Sequence, residues 1–237
     1  MRQVLFLLIL VGLGAGDAFS APRAVIELFT SQGCSSSPAA DKLASEWAKD
    51  PELVVLSLPV DYWDYLGWRD TLAHHEFTLR QQAYSQARGD RDVYTPQIVV
   101  NGVTPIVGSQ KPKVEDAIRM AAGGLPVQVG IANSLDGYIV SAGEGPEKGE
   151  IWLLPITRSA RVTVDKGENS GASLTYTNVV RAMRKIGDYD GKPTTITLTR
   201  DEAWAPGADA FVVLVQQRKG PDPGRMLGAA IERDRAR

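Results

Sequence analysis

The apolar positions change period several times along the chain, and each change marks an element. Residues 24–29 and 53–58 are short runs of β-forming apolar side chains, a texture that predicts two buried strands. Between them, from Ser37, the residues Ala40, Leu43, Ala44 and Trp47 recur at helical spacing. Pro38 suits a first helical turn, and Asp50-Pro51 stops the helix. Residues 60–68 are aromatic and acidic without a period and read as a packed loop. A second helix is predicted over 76–88, ended by Gly89. Residues 97–100 and 103–107 flank Asn101-Gly102, the preferred sequence for a type I′ hairpin turn. A third helix is predicted over 111–122, with Val114, Ala117, Ile118 and Ala121 on one face.

Crossovers through helices require parallel pairing, whereas the hairpin requires antiparallel pairing. A four-stranded mixed sheet flanked by helices satisfies both. After Gly123-Gly124-Leu125-Pro126 the texture changes. Residues 127–132, 138–142, 150–156, 161–164, 194–199 and 211–216 alternate or run apolar between Gly, Asp and Pro turns, and 178–186 fits a strand or a short helix, with the strand favoured. This second part predicts an antiparallel β-sandwich of about seven or eight strands, closed by a charged tail over 232–237. The expected division is 21–124 for the α/β part and 125–237 for the β part.

The first 20 residues stand apart. Arg2 precedes an apolar run over 4–13, and small residues follow. The run is too short for a hydrocarbon core, which needs about 20 residues, so 1–20 read as a signal peptide. The expected location is periplasmic or secreted, with no membrane insertion of the mature chain. A formal charge of −2 lacks the basic stripe of a nucleic-acid surface. The chain has one cysteine, so no intramolecular disulfide can form and an exported fold rests on burial alone.

That cysteine, Cys34, follows the turn Thr30-Ser31-Gln32-Gly33 and arrives at a predicted helix start. Unsatisfied N–H groups and the helix dipole favour a thiolate there, which lowers the pKa below the free-cysteine value of about 8.5. Ser37, in Cys-x-x-Ser spacing, can donate a hydrogen bond to a thiolate but cannot close a disulfide.

The strand, Cys-x-x-Ser and helix unit, followed by Tyr94-Thr95-Pro96-Gln97, resembles the thioredoxin superfamily. The resemblance implies an α/β thioredoxin-like N-terminal domain ahead of the all-β sandwich-like C-terminal domain. It also implies a cis Thr95-Pro96 bond facing Cys34 and a Thr95 backbone that pairs with an extended substrate. More narrowly, Glu27-Leu-Phe-Thr-Ser-Gln-Gly-Cys34 and Val60-Asp-Tyr-Trp-Asp-Tyr-Leu-Gly-Trp68 resemble a secreted bacterial family, domain of unknown function 1223. The likeness continues through Asn101-Gly102, Gly167-Glu-Asn169 and Leu174-Thr-Tyr-Thr-Asn-Val-Val-Arg181. That family carries a second cysteine where this chain has Ser37.

Together these features predict monothiol thiol–disulfide exchange, with Cys34 and Ser37 catalytic and a protein or small-molecule thiol or disulfide as partner. Thr95, Pro96 and Trp63 are the substrate-binding candidates. No cofactor is expected. The rival is a non-catalytic polypeptide-binding module in which Cys34 is incidental. A peroxidase reading of Ser31-x-x-Cys34 lacks its expected proline, since Glu27 stands there. Asp61, Tyr62, Trp63, Asp64, Tyr65 and Trp68 either rim a groove or pack a sheet edge. Adjacent His74 and His75 point apart and have no ligand cluster around them, so no metal is expected. Glu27, inside an apolar strand, is either a buried proton relay near the thiol or an exposed strand end.

Overall fold

The computed structural model describes residues 22–121 and 123–232, so the signal peptide expected over 1–20 and the tail beyond 232 lie outside the described residues. In chain order the elements are β1 (Ala24–Thr30), α1 (Ser37–Trp47), β2 (Leu53–Pro59), a single 3-10 turn (Asp64–Leu66), α2 (His75–Arg88), β3 (Gln97–Val100), β4 (Thr104–Val107) and α3 (Lys111–Met120). There follow β5 (Val129–Asn133), β6 (Gly137–Ala142), β7 (Gly149–Thr163), β8 (Ser173–Val180), β9 (Arg184–Tyr189), β10 (Thr194–Thr199), α4 (Arg200–Ala203), β11 (Ala210–Lys219) and β12 (Asp222–Glu232).

β1 runs parallel to β2, from Ala24 opposite Leu53 to Thr30 opposite Pro59, and antiparallel to β3. The helical crossover through α1 imposes the parallel pair. The turn after β3 has Asn101 and Gly102 both at positive φ, and Val103 N–H closes onto the Val100 carbonyl. Gly102 is required twice over, because a Cβ there would also run into the carbonyl of Gly224.

The expected fold class, a thioredoxin-like α/β domain followed by a separate β-sandwich, is corrected by the sheet order. Nine strands from both halves form one mixed sheet, β12-β11-β7-β8-β2-β1-β3-β4, with β9 also paired to β7. The seam is the parallel bridge of Ser57 to Val179. Two side chains reinforce it: Ser57 Oγ donates to the Thr177 carbonyl at 2.8 Å, and Asn178 Nδ2 donates to the Val55 carbonyl at 2.8 Å. The expected break at 124/125 falls between α3 and β5, and the large sheet takes strands from either side of it. The separate strand expected over 161–164 is the end of the long β7, and the strand expected over 178–186 is divided between β8 and β9.

Burial follows strand alternation. On one face of β1, Ala24, Ile26 and Leu28 meet Ala40, Ala44 and Trp47 of α1 and Val114 and Ile118 of α3. On the other, Val25 and Phe29 join Leu56 and Leu58 of β2, Phe77 and Tyr84 of α2, and Ile156, Val212 and Leu214 from the second half. This second core is continuous across the seam, which is the physical reason the two halves form one body. β10, β6 and β5 make a small second sheet that packs Tyr138, Val140 and Leu198 against Leu153, Phe211 and Val213 of the large one.

Candidate functional site

β1 ends at Thr30, and the chain reaches α1 through two tight turns: Cys34 N–H donates to the Ser31 carbonyl at 3.2 Å, and Ser37 N–H to the Cys34 carbonyl at 3.1 Å. Gly33 is needed because a Cβ there would stand 3.0 Å from the Cβ of Trp63. Cys34 is only 2% exposed. Its Sγ lies 3.2 Å from Ser36 Oγ and donates to the Thr95 carbonyl at 3.6 Å. The Thr95-Pro96 peptide bond is cis. The hydroxyls of Ser37 and Thr95 are buried without a hydrogen-bond partner among the described residues, and both stand close enough to the sulfur to favour a thiolate.

Burial pushes the Cys34 thiol up, because the charged form loses water. The hydroxyls of Ser36, Ser37 and Thr95 and the Ser36 backbone, which favour the thiolate, outweigh it and leave the thiol below its ordinary value. Ser36 makes the largest of these contributions. Sequence spacing pointed to Ser37 through the Cys-x-x-Ser pattern, whereas the turn at 35–36 ahead of α1 brings Ser36 onto the sulfur.

The loop is held by two other segments of the chain. Gln32 N–H donates to Asp70 Oδ2 at 2.7 Å, and Gln32 Oε1 accepts from Trp68 Nε1 at 2.8 Å. From the connection between β7 and β8, Asn169 Nδ2 donates to the carbonyls of Gln32, at 2.9 Å, and Cys34, at 3.0 Å. Beside it, Glu168 Oε2 accepts from Ser35 N–H at 3.1 Å. Gly167-Glu168-Asn169 reads in the sequence as a turn at a domain contact with Arg181 as its partner, and no local signal connects it to Cys34.

Beneath the loop lie two buried carboxyls. Asp41, one turn past Ser37 on α1, is 3% exposed and accepts from Thr30 Oγ1 at 2.8 Å, while its Oδ2 has no partner. Burial pushes it up to about 8, with Asp70 adding repulsion and the Thr30 bond opposing. Asp70 is pushed up to about 6, again chiefly by burial, against the N–H groups of Gln32 and Leu72. The buried Tyr176 hydroxyl, unpartnered on β8, feels Asp41, Asp70 and Cys34 together, and burial raises it further than any of them. Asp41 had a signal in the sequence: it interrupts the buried stripe of Ser37, Ala40, Ala44 and Trp47 on α1.

The aromatic segment divides. Trp63 is half-buried behind Gly33, its ring 6.4 Å from that of Tyr62. Tyr62 interacts with Cys34 and Thr95, and burial pushes its phenol up to about 12. Asp61 accepts from Thr78 Oγ1 at 2.6 Å and pairs with His75 at 2.9 Å, Asp64 accepts from the Asp70 N–H, and Tyr65 is 79% exposed. Glu27 is neither beside the thiol nor at an exposed strand end. Strand alternation turns it toward α2, where it is fully buried and pairs with Arg80 at 2.7 Å. Among the described residues no three His, Cys, Asp or Glu side chains gather as metal ligands, and no helix is long and apolar enough to cross a membrane.

The chain is similar in structure to protein AGR_C_4864 from Agrobacterium tumefaciens, solved by X-ray crystallography. The identity is 32%, the TM-score 0.82, and the match covers 92% of this chain and 97% of that one. It also resembles HBP35 of Porphyromonas gingivalis, with a TM-score of 0.60 at 13% identity over 91% of this chain and 76% of that one, a likeness of fold alone. No curated protein matches the chain. The family model described as "Protein of unknown function (DUF1223)" matches residues 25–216, and the chain belongs to that family.

Proposed function

We propose that the protein is exported and that Cys34 carries out monothiol thiol–disulfide exchange with a protein or small-molecule partner. The observation that supports this most is the set of hydroxyls on the sulfur: Ser36, Ser37 and Thr95 together lower its pKa against the effect of burial. A buried cysteine that served only as packing would have no use for them. The Cys34 thiolate attacks one sulfur of a disulfide R–S–S–R′, forming Cys34–S–S–R and releasing R′–S⁻. An external thiol then attacks the mixed disulfide, takes up R as R–S–S–R″, and returns Cys34 as thiolate. No second cysteine exists in the chain to close an internal disulfide. Ser37, in the place where the family resemblance puts that cysteine, sets a buried hydroxyl near the sulfur and removes the resolving step.

The 2% exposure of Cys34 favours a second reading, a non-catalytic module that binds polypeptide beside Thr95, Pro96 and Trp63. Incubation with glutathione disulfide separates the two. Exchange requires one glutathione adduct on the folded chain, detected by mass and removed by added thiol. Ser37→Cys should replace that adduct by an internal disulfide. A folded chain that stays unmodified, and takes up glutathione only in denaturant, supports the binding module instead.

A further inference from the structure

On the α2 side of the large sheet lies a cavity of about 310 Å³ that includes none of the residues around Cys34. That volume is at the lower end of the range for small-molecule sites. Leu79 and Ala83 of α2, Trp152 of β7, Met183, Pro221 and Pro223 supply apolar walls. Leu79, Arg80 and Ala83 share one face of α2 by helical spacing, so Arg80 joins two apolar residues in the lining.

Arg80 has an 8% exposed side chain and is tied down from behind. Its Nε donates to Glu27 at 2.7 Å, and its Nη2 donates to the Tyr84 hydroxyl at 2.8 Å and to Gln216 Oε1 at 2.9 Å. Tyr84 in turn donates to Glu27, and Gln216 Nε2 donates to Tyr84 and to the Gly224 carbonyl. The remaining nitrogen, Nη1, makes no hydrogen bond among the described residues and is not sealed from solvent. It is the donor that Arg80 offers to the cavity. A guanidinium locked on two nitrogens and open on the third is a preorganised hydrogen-bond donor in an apolar site.

Charge decides what that donor accepts. Glu27 already cancels the charge of Arg80, and Glu76 and Asp222 add carboxylates to the cavity lining. Glu150, also in the lining, is matched by Arg218 at 3.0 Å and by Lys185 at 2.8 Å, which is itself shared with Asp188 at 2.6 Å. A carboxylate ligand would meet these acids with no spare cation facing it, whereas a carbonyl oxygen takes the N–H without bringing charge. Trp152 and Met183 suit a flat aromatic body. We propose that this cavity binds uncharged aromatic carbonyl compounds, with the carbonyl oxygen on Arg80 Nη1 and the ring between α2 and Trp152.

The test titrates the full chain with 1-acetylnaphthalene and, separately, with 1-naphthoate, following the indole N–H resonance of Trp152 by NMR. Acetylnaphthalene should shift that resonance to saturation, and naphthoate should bind at least about tenfold more weakly. Arg80→Lys, which removes the fixed guanidinium donor, should weaken acetylnaphthalene binding. Because that change also disturbs the buried ion pair, Ala83→Trp is the second variant: it fills the cavity from a half-exposed helix position and should abolish binding with the fold intact by circular dichroism. An absent shift, equal affinity for the two probes, or undiminished binding to folded Ala83→Trp overturns the proposal.

Discussion

Asn169 donates its side-chain amide to the carbonyl oxygen of Cys34 at 3.0 Å, joining residues 135 positions apart in the chain. The same nitrogen also serves the Gln32 carbonyl, so one side chain satisfies two acceptors of the turn that carries the thiol. The β7–β8 connection thereby straps a loop at the end of β1, and the site depends on the union of both halves of the sheet.

Loss of that strap should loosen the turn without touching the sulfur. Asn169→Ala leaves two part-buried carbonyls short of a donor and should cost about 1–3 kcal/mol in urea denaturation. Cys34 is only 2% exposed, so a looser loop should uncover it further, and the same variant should be alkylated faster than the parent at fixed pH. Unchanged stability and rate would show that the strap holds nothing.

Ser36, nearer to the sulfur by hydrogen-bond geometry, should matter more than Ser37. Ser36→Ala and Ser37→Ala should each raise the inflection in the pH profile of Cys34 alkylation, the first by more. The opposite ranking would return the leading role to the Cys-x-x-Ser spacing.

The buried carboxyl below the loop makes stability depend on pH. Asp41 rises from an ordinary 3.8 in the open chain to about 8 when folded. Between those values the folded state keeps a proton that the unfolded state has lost, so stability falls as pH rises. The contribution is fully present below about 4 and gone above about 8, with a slope of about 1.4 kcal/mol per pH unit. Asp70, raised to about 6, should steepen the acid part of that range. Asp41→Asn keeps an acceptor for Thr30 and should flatten the slope between about 6 and about 8, as measured by urea midpoints across that range.

The ion pair of Glu27 and Arg80 should be costly to break on one side only. Glu27→Leu strands a guanidinium in an apolar face and should destabilise by about 3–5 kcal/mol. The double variant Glu27→Leu/Arg80→Met removes both charges and should cost less than the single change. A double variant no better than the single one would show that Tyr84 and Gln216, rather than the charge pair, carry the network.

Much of the fold was legible because its apolar runs are local. β1, α1, β2, α2 and the Asn101-Gly102 hairpin follow from period and turn chemistry. β12 was not legible, since its Asp222-Pro-Gly-Arg start and Gly228 have poor strand propensity; pairing with the buried β11 makes the strand. The joining of the halves was equally hidden, because a parallel bridge at Ser57 and Val179 rests on long-range register rather than on either segment alone. At the site, Cys34, Thr95 and Pro96 were found through motif, whereas Asn169 and Tyr176 arrive from β7–β8 and β8 by tertiary packing.

The reactivity of Cys34 in the folded chain tests the account most directly. The rate of alkylation by iodoacetamide, measured against pH in the native protein and again in urea, reports the thiolate in both states. The hydroxyls of Ser36, Ser37 and Thr95 should place the native inflection below that of the denatured chain, with measurable native reaction at neutral pH. A thiol that is inert from about pH 5 to about 9 while folded, and reacts only once the chain is denatured, would contradict the exchange chemistry proposed for Cys34.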